Sequence, residues 1–336
     1  MTTGLHYYYN QVKGRLREGA ESWHVILAQR NSIEGNAADD LLGRPTRFTL
    51  LPNPPGHFLA DPFVVNANGQ EYLFVEDYDY SLGRGIISCA CLPSDEAWST
   101  LDFKPVLRCD WHLSYPYVFE HEGCFYMVPE AAESGGVDLY QADEFPWRWR
   151  HVKRLIEGAN IVDATLILHN NLWWLFAAIG EANTSTWDEL FLYYAPSPLG
   201  PWQPHPQCPL KTDISSARPA GRPFWHDGRL LRPAQDCTLG YGSGLTLCEV
   251  VELTPTGYRE RPYRHSALVN AGHIGGTHTF NASLRHVASD IRIKTKLTKP
   301  AHVDLQWVDI KNTTPSLPKK TMNKHPHHPP PAIRSI

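Results

Sequence analysis

Residues 58–77 read FLADPFVVNANGQEYLFVED, and a closely similar arrangement comes back twice. LSYPYVFEHEGCFYMVPEAA begins at Leu113, and NIVDATLILHNNLWWLFAAI begins at Asn160. Each copy is a polar or small residue, a few apolar residues, a turn, and then an apolar-aromatic strand. Alignment on the turn brings in a fourth copy. Asn68-Gly69, Glu122-Gly123, Asn170-Asn171 and Asp227-Gly228 follow one another at intervals of 54, 48 and 57 residues. Such dipeptides tolerate positive φ and close tight hairpins. Short apolar strands flank every one: PFVV and EYLFV, PYVF and CFYMV, ATLIL and LWWLF, GRPFW and RLLRP.

Two further strands follow in each repeat. GRGIISCACL, GVDLYQA, DELFLYYAPS and GSGLTLCEVVEL come third; KPVLR, RHVKRLI, WQPHP and YRERPYR come fourth. Four antiparallel strands per unit, with a period of roughly 50 residues, predict propeller blades. A fifth unit starts at GHIGGTHTFNASL (272–284) and continues through DIRIKTKL and AHVDLQWV. The predicted fold is all-β: a five-bladed β-propeller over residues 42–310. Residues 1–41 form an N-terminal segment whose strand SWHVILAQ is available to complete the last blade and close the ring, which removes sheet edges. A β-sandwich pair is the alternative architecture, and the regular pitch argues against it. Residues 311–336, rich in Pro, Lys and His, read as a disordered tail.

Composition narrows the function. A net charge of −4 offers no basic patch for a duplex nucleic-acid partner. The longest apolar runs fall well short of a membrane span. The N-terminus shows no continuous apolar stretch of a secretory signal, so a cytoplasmic location is expected. The seven cysteines are odd in number and include no CxxC, so neither a disulfide framework nor a tetrahedral metal set is expected. With 11 Trp, 15 Tyr and 12 Phe, rings are numerous enough to pack sheets and still line a pocket for sugars.

In a propeller the first strand of each blade lines the central axis, so residues at one register converge there. That column contains Asp61, Tyr115, Asp163 and Ala220, with His278 near the fifth place. A second column, 15 residues further on, contains Glu76, Glu130, Ala178 and Gln235, with Asp77 and Asp236 as neighbours. Each carboxylate also has a structural reading. An Asp at a strand entry bonds turn amides, and a strand-end Glu pairs with arginine or water. Gathered in one funnel, however, two carboxylates suit glycosidic chemistry. One protonates the leaving oxygen, while the other activates water or attacks the anomeric carbon. A gap of about 6.5–9.5 Å suits inversion and about 5–5.5 Å suits retention. Arg218, Arg222 and Arg232 are placed either to pair with these acids or to hold an anionic substrate.

The four blade motifs together resemble the five-bladed propellers of the arabinanase–levansucrase–invertase superfamily, which includes the family-43 glycosidases. More closely, they resemble the N-terminal propeller domain of glucosamine inositolphosphorylceramide transferases and of bacterial relatives found beside formyltransferase-like domains. The resemblance implies that Asp61 corresponds to the glycosidases' general base or nucleophile. It implies that Asp163 corresponds to the Asp that tunes the acid or grips sugar hydroxyls. The glycosidases' acid is a Glu at the start of blade four. Here that stretch, SSARPAGRPF, holds Arg218, Ala220 and Arg222 and no carboxylate.

The expected function is therefore glycosyl hydrolysis or transfer through Asp61, Asp163 and, as provisional acid, Glu130. Glu76, Tyr115, Trp174, Arg218, Arg222, Gln235, Asp236 and His278 are the expected substrate contacts. No redox cofactor is needed. The expected partners are a carbohydrate or glycoconjugate substrate and a sugar-modifying transferase. The rival reading is a non-catalytic carbohydrate-binding or scaffold propeller, which the missing Glu favours. Neither the Trp-Asp signature nor the double-glycine pattern of protein-interaction propellers recurs.

Overall fold

All four turn dipeptides close two-residue hairpins with positive φ at both positions: 52° and 82° at Asn68-Gly69, 51° and 75° at Glu122-Gly123, 50° and 59° at Asn170-Asn171, and 47° and 71° at Asp227-Gly228. These turns match the right-handed twist of the strands they join. The computed structural model describes residues 21–30, 42, 46–94, 97–158, 160–180, 185–269, 274–294 and 302–309. The C-terminal stretch expected to be a tail lies outside the described residues.

Two sheets match the expected four-stranded unit. His57–Ala67, Gln70–Asp79, Arg84–Leu92 and Lys104–Leu107 make the first, and Ser114–His121, Cys124–Glu130, Gly136–Glu144 and Arg148–Glu157 the second. The third contains Ile161–His169, Leu172–Ile179 and Glu189–Ala195, then two short strands, Gln203–Pro204 and Lys211–Thr212, both paired to Glu189–Ala195. Pro204, Pro206 and Pro209 withhold amide donors there, which fits an outer strand broken into two pieces.

The fourth and fifth units depart from the expected pattern, because they share one ten-stranded sheet. Its order is Phe224–His226, Arg229–Asp236, Gly244–Leu253, Tyr258–Val269, His302–Asp309, Thr46–Leu50, Glu21–Gln29, His286–Lys294 and Ile274–Gly276, with Phe280–Ala282 also paired to His286–Lys294. His302–Asp309 is the joint. It pairs with Tyr258–Val269 on one side and Thr46–Leu50 on the other. Two outer strands each present an unpaired edge, and a single shared strand satisfies both. The N-terminal strand pairs with His286–Lys294 along its whole length, from Glu21 opposite Lys294 to Gln29 opposite His286.

Both faces of the sheets are buried. Phe63, Tyr115, Val118, Met127, Leu139 and Leu175 belong to one apolar cluster linking the first three sheets. Ile26, Phe48, Leu247, Phe280 and Leu305 form another in the ten-stranded sheet. Adjacent residues on a strand point to opposite faces. Trp173 accordingly joins the first cluster, and Trp174 packs with Phe176, Leu192 and Leu230 in a separate one. The complete helical elements among the described residues are two 3-10 turns, Trp98–Thr100 and Ala132–Ser134. No helix among them is long and apolar enough to cross a membrane. All seven cysteines are free.

Candidate functional site

The repeated frame has a backbone cause. Asp61, Tyr115 and Asp163 have φ of 48°, 45° and 54°. At each, the pairing of the first strand with the second slips: between Ala60 and Phe63, Ser114 and Tyr117, and Val162 and Thr165. A bulge of this kind re-aims a side chain, and a non-glycine residue with positive φ costs roughly 1–3 kcal/mol that its surroundings must offset. The repeated shape is the bulge, and the residue placed on it is Asp in the first and third sheets and Tyr in the second.

Hydrogen bonds tie the bulges together. The Tyr115 amide donates to Asp61 Oδ2 at 3.2 Å, and Thr279 Oγ1 donates to Oδ1 at 2.6 Å. The Asp61 amide in turn donates to Asp290 Oδ2 at 3.0 Å. Tyr115 is a strut rather than a wall. Its hydroxyl bonds Thr165 Oγ1 at 2.7 Å and accepts the Gly221 amide at 2.7 Å, and its ring packs edge-on to Phe63. Gly221 is required at its place: φ is 134°, and a Cβ there would lie 2.0 Å from the Phe280 carbonyl oxygen.

Arg218 occupies the stretch where a carboxylic acid would be expected. Its Nε donates to Asp163 Oδ2 at 2.5 Å, its Nη1 donates to Thr186 at 3.2 Å, and its guanidinium lies 5.1 Å from the centre of the Tyr241 ring. Gln235 Nε2 also donates to Asp163 Oδ2, at 3.2 Å. His278 faces Asp290 Oδ2 at 2.6 Å and Asp61 Oδ1 at 3.8 Å, and stacks flat on Trp23 with ring centres 3.9 Å apart. Glu76 lies 3.5 Å from His112 Nε2. Glu130 is half-buried, and accepts from Ser114 Oγ at 2.5 Å and the Ala132 amide at 3.0 Å.

Crowding sets the electrostatics. Burial pushes Asp61 above the usual carboxylate range, against the pull of His278. Glu76 is pushed well above its ordinary value by burial, and by Asp61, Glu130 and Asp290 in turn. Asp163 rises to about 6, because burial outweighs Arg218 and the Asp61 and Glu130 charges add to it. Burial works against charge on His278, yet Asp290 and Asp61 hold it above the ordinary histidine value. The charges of Asp61 and Glu130 thus bear on both Glu76 and Asp163, across three sheets. Asp61, His278 and Asp290 also offer ligand atoms within 4.8 Å of one another, so among the described residues they are a group that could share a cation.

Asp61, Asp163, Glu76, Glu130, Tyr115, Arg218, Gln235 and His278 therefore lie together. Three expected contacts do not. Trp174 is packed between sheets, 1% exposed, with Nε1 on the His169 carbonyl. Asp236 caps its own loop, accepting from the Thr238 amide and hydroxyl. Arg222 lies at the far end of the inner strands, over the Tyr117 ring. The site also contains residues the column argument missed: Asp290, Thr279, Trp23 and Tyr241. Asp290 carries a readable signal, a carboxylate in the middle of the strand HVASDIRIK. Trp23 and Tyr241 are brought in by segments that carry no repeat.

The family model described as "Glucosamine inositolphosphorylceramide transferase 1, N-terminal" matches residues 50–292. Glucosamine inositolphosphorylceramide transferase 1 of Oryza sativa subsp. japonica is 38% identical over 268 residues, which is 74% of this chain and 36% of that protein. Its namesake from Arabidopsis thaliana is 36% identical over 213 residues, 61% of this chain and 27% of that protein. The chain thus spans about a third of the length of these relatives. Among solved structures, an α-L-arabinofuranosidase from Podospora anserina in complex with cellotriose superimposes with a TM-score of 0.50 at 9% identity, covering 75% of this chain and 91% of that one. An α-L-arabinanase from Cellvibrio cellulosa complexed with arabinohexaose gives 0.46 at 13% identity, covering 73% and 93%. The first of these two likenesses bears on the fold alone, a glycoside-hydrolase type of β-propeller. With the family match running through every sheet that builds the axial cluster, the chain belongs to the glucosamine inositolphosphorylceramide transferase 1 N-terminal family.

Proposed function

We propose that this chain is a carbohydrate-recognition propeller that holds an amino sugar of a glycoconjugate against its axial carboxylates. Five units around one axis, the last completed by Glu21–Gln29, would bring those carboxylates to one mouth. The observation that carries the reading is the Arg218–Asp163 ion pair at 2.5 Å. It stands where a hydrolytic propeller of this type needs a free acid. Glu130, the provisional acid, is held by Ser114 and the Ala132 amide. Asp61, Asp163 and Asp290 face Arg218 and His278, while burial holds Glu76 toward its neutral form; the remaining surplus of one carboxylate favours a cationic sugar over an anionic one. Trp23 and Tyr241 supply rings beside it. The relatives' name refers to glucosamine, which fits that charge balance. Because the chain spans a third of those proteins, a transferase acting on the presented sugar would be a partner or a further domain.

A second reading rests on one specific observation: Asp61 and Asp163 are both buried on matching strand bulges, and burial raises both carboxyls above their ordinary range. Two carboxylates with raised values can pass a proton between them and a glycosidic oxygen. Calorimetric titration with methyl glucosaminide, methyl N-acetylglucosaminide and methyl glucoside, together with an assay of aryl-glycoside cleavage, separates the two. The recognition reading expects the glucosaminide to bind most tightly, Asp61→Asn to weaken it, and no cleavage. Turnover abolished by Asp61→Asn would establish the catalytic reading instead. No binding of any glycoside would refute both.

A further inference from the structure

Glu76 differs from the other acids around the axis in its hydrogen bonding. It stands opposite Ala60, the residue before the Asp61 bulge. Its counterparts on the second strands are held by protein groups. Glu130 accepts from Ser114 and the Ala132 amide, and Gln235 donates to Asp163 and the Pro219 carbonyl. Neither Glu76 oxygen has a hydrogen-bond partner among the described residues, although the side chain is only 9% exposed. A buried carboxylate without donors is costly, so such a group takes up a proton instead. The surroundings add to that cost, since Asp61, Glu130, Asp290 and Asp77 all press on it with negative charge, and burial and these neighbours take Glu76 well above its ordinary value. Its one imidazole neighbour is His112.

His112 comes from the connection between Lys104–Leu107 and Ser114–His121, and that connection is clamped to the first sheet. The Gly85 amide donates to His112 Nδ1 at 2.8 Å, and the Leu113 amide donates to the Gly85 carbonyl at 3.0 Å. Only glycine permits this approach: a Cβ on residue 85 would lie 2.4 Å from the Leu113 carbonyl oxygen and 3.0 Å from Glu76 Oε1. Because Nδ1 accepts, the proton of a neutral imidazole is on Nε2. Burial keeps His112 below the ordinary histidine value, against the pull of Glu130, Glu133 and Asp61. The Nε2–H therefore faces Glu76 Oε1 from 3.5 Å, a distance beyond a good direct bond. Two neutral groups in this relation fix the direction of the Glu76 carboxyl and leave its own O–H to be used elsewhere.

We infer, resting on the recognition reading above, that Glu76 is a specificity-determining residue of the axial site: a protonated carboxylic acid, aimed by the positioning residue His112, that donates a hydrogen bond to a hydroxyl oxygen of the bound amino sugar. Asp61 and Asp163 then serve the ammonium, and Glu76 reads the neutral part of the ring. The test uses the full chain and calorimetry, with methyl glucosaminide and its three analogues lacking the 3-, 4- or 6-hydroxyl. One analogue is expected to bind wild type about tenfold more weakly than the parent sugar, the factor a buried hydrogen bond provides. Glu76→Ala is expected to lose about tenfold for the parent sugar and to bind that analogue no worse than the parent. Glu76→Gln, which keeps a neutral donor of the same length, is expected to restore most of the loss. Glu76→Asp keeps the acid but shortens its reach, and carries the same expected loss if the alanine variant folds poorly. His112→Asn keeps an acceptor for the Gly85 amide and removes Nε2; it is expected to shrink the penalty for the missing hydroxyl to about threefold. Infrared difference spectra of wild type against Glu76→Gln at neutral pH are expected to show the carbonyl band of a protonated acid. Absence of that band, or equal hydroxyl penalties in wild type and Glu76→Ala, overturns the inference. Binding that is weakened by Asp61→Asn but untouched in Glu76→Ala overturns it while leaving the recognition reading in place. Failure of wild type to bind any glucosaminide sinks both.

Discussion

Two buried carboxylate–guanidinium pairs in this molecule behave in opposite ways. Glu260 meets Arg232 through two parallel bonds of 2.9 and 2.7 Å, and also takes Lys211 Nζ at 2.8 Å and the Tyr258 hydroxyl at 2.6 Å. Burial works against its charge, yet Arg232 and Lys211 hold it down at about 2. Asp163 meets Arg218 through one guanidinium nitrogen and shares its surroundings with Asp61 and Glu130, and burial takes it to about 6. The partner chemistry is the same, but the supply of donors differs. Glu260 has more positive partners than it needs, as suits an anchor between Arg229–Asp236 and Tyr258–Val269. Asp163 has fewer, a shortfall that the proposed recognition of a cationic sugar would use. Arg232, which the sequence placed among the possible substrate arginines, is 0% exposed and belongs to the anchor.

The sharpest way to break this contrast is to remove each carboxylate's charge. Glu260→Gln leaves Arg232 buried without its counter-charge and is expected to cost about 3–5 kcal/mol, read by urea unfolding, with glucosaminide binding unchanged in the folded fraction. Asp163→Asn relieves repulsion from Asp61 while keeping an acceptor for Arg218. Its expected cost is about 1–2 kcal/mol, with sugar binding lost. Equal destabilisation by the two would remove the contrast. Tyr115→Phe removes the acceptor of the Gly221 amide and is expected to cost about 1–3 kcal/mol, the penalty of one buried unsatisfied donor.

The pH dependence gives the finest distinction. Glu260 has a folded value below its ordinary 4.5, so its stabilisation is present above 4.5 and is lost as pH falls toward about 2. Asp163 has a folded value above its ordinary 3.8, so the native state binds the extra proton. Its contribution is lost as pH rises from 3.8 through about 6. Each group contributes a slope of up to about 1.4 kcal/mol per pH unit in its own window. Unfolding measured across pH is expected to flatten below 4.5 in Glu260→Gln and between 3.8 and 6 in Asp163→Asn. Flattening in the same window for both would show that the two pairs are not distinct.

The hairpins were legible because a two-residue turn needs positive φ, and Asn-Gly, Glu-Gly, Asn-Asn and Asp-Gly announce it locally. The register of the axial column was legible for the same reason, since it is counted from those turns. The bulge at Asp61, Tyr115 and Asp163 was not, because no glycine marks its positive φ; tertiary bonds such as Asp290 to the Asp61 amide hold it. Arg222 was misplaced along the axis because a column count fixes which strand a residue sits on and leaves the end it faces to the chain's path through Gly221. Trp174 was misplaced because both faces of its sheet are buried, so alternation alone does not separate core from pocket. The fusion of the last two units was hidden too: His302–Asp309 reads as an ordinary alternating strand, and its choice of two neighbours is decided by which edges stand open.

A crystal soaked with methyl glucosaminide tests the axial site most directly. The account predicts one sugar ring within hydrogen-bond reach of both Asp61 and Asp163, its ammonium toward the carboxylates and a face against Trp23 or Tyr241. A ring bound elsewhere, with both aspartates still closed over their protein partners, would contradict it.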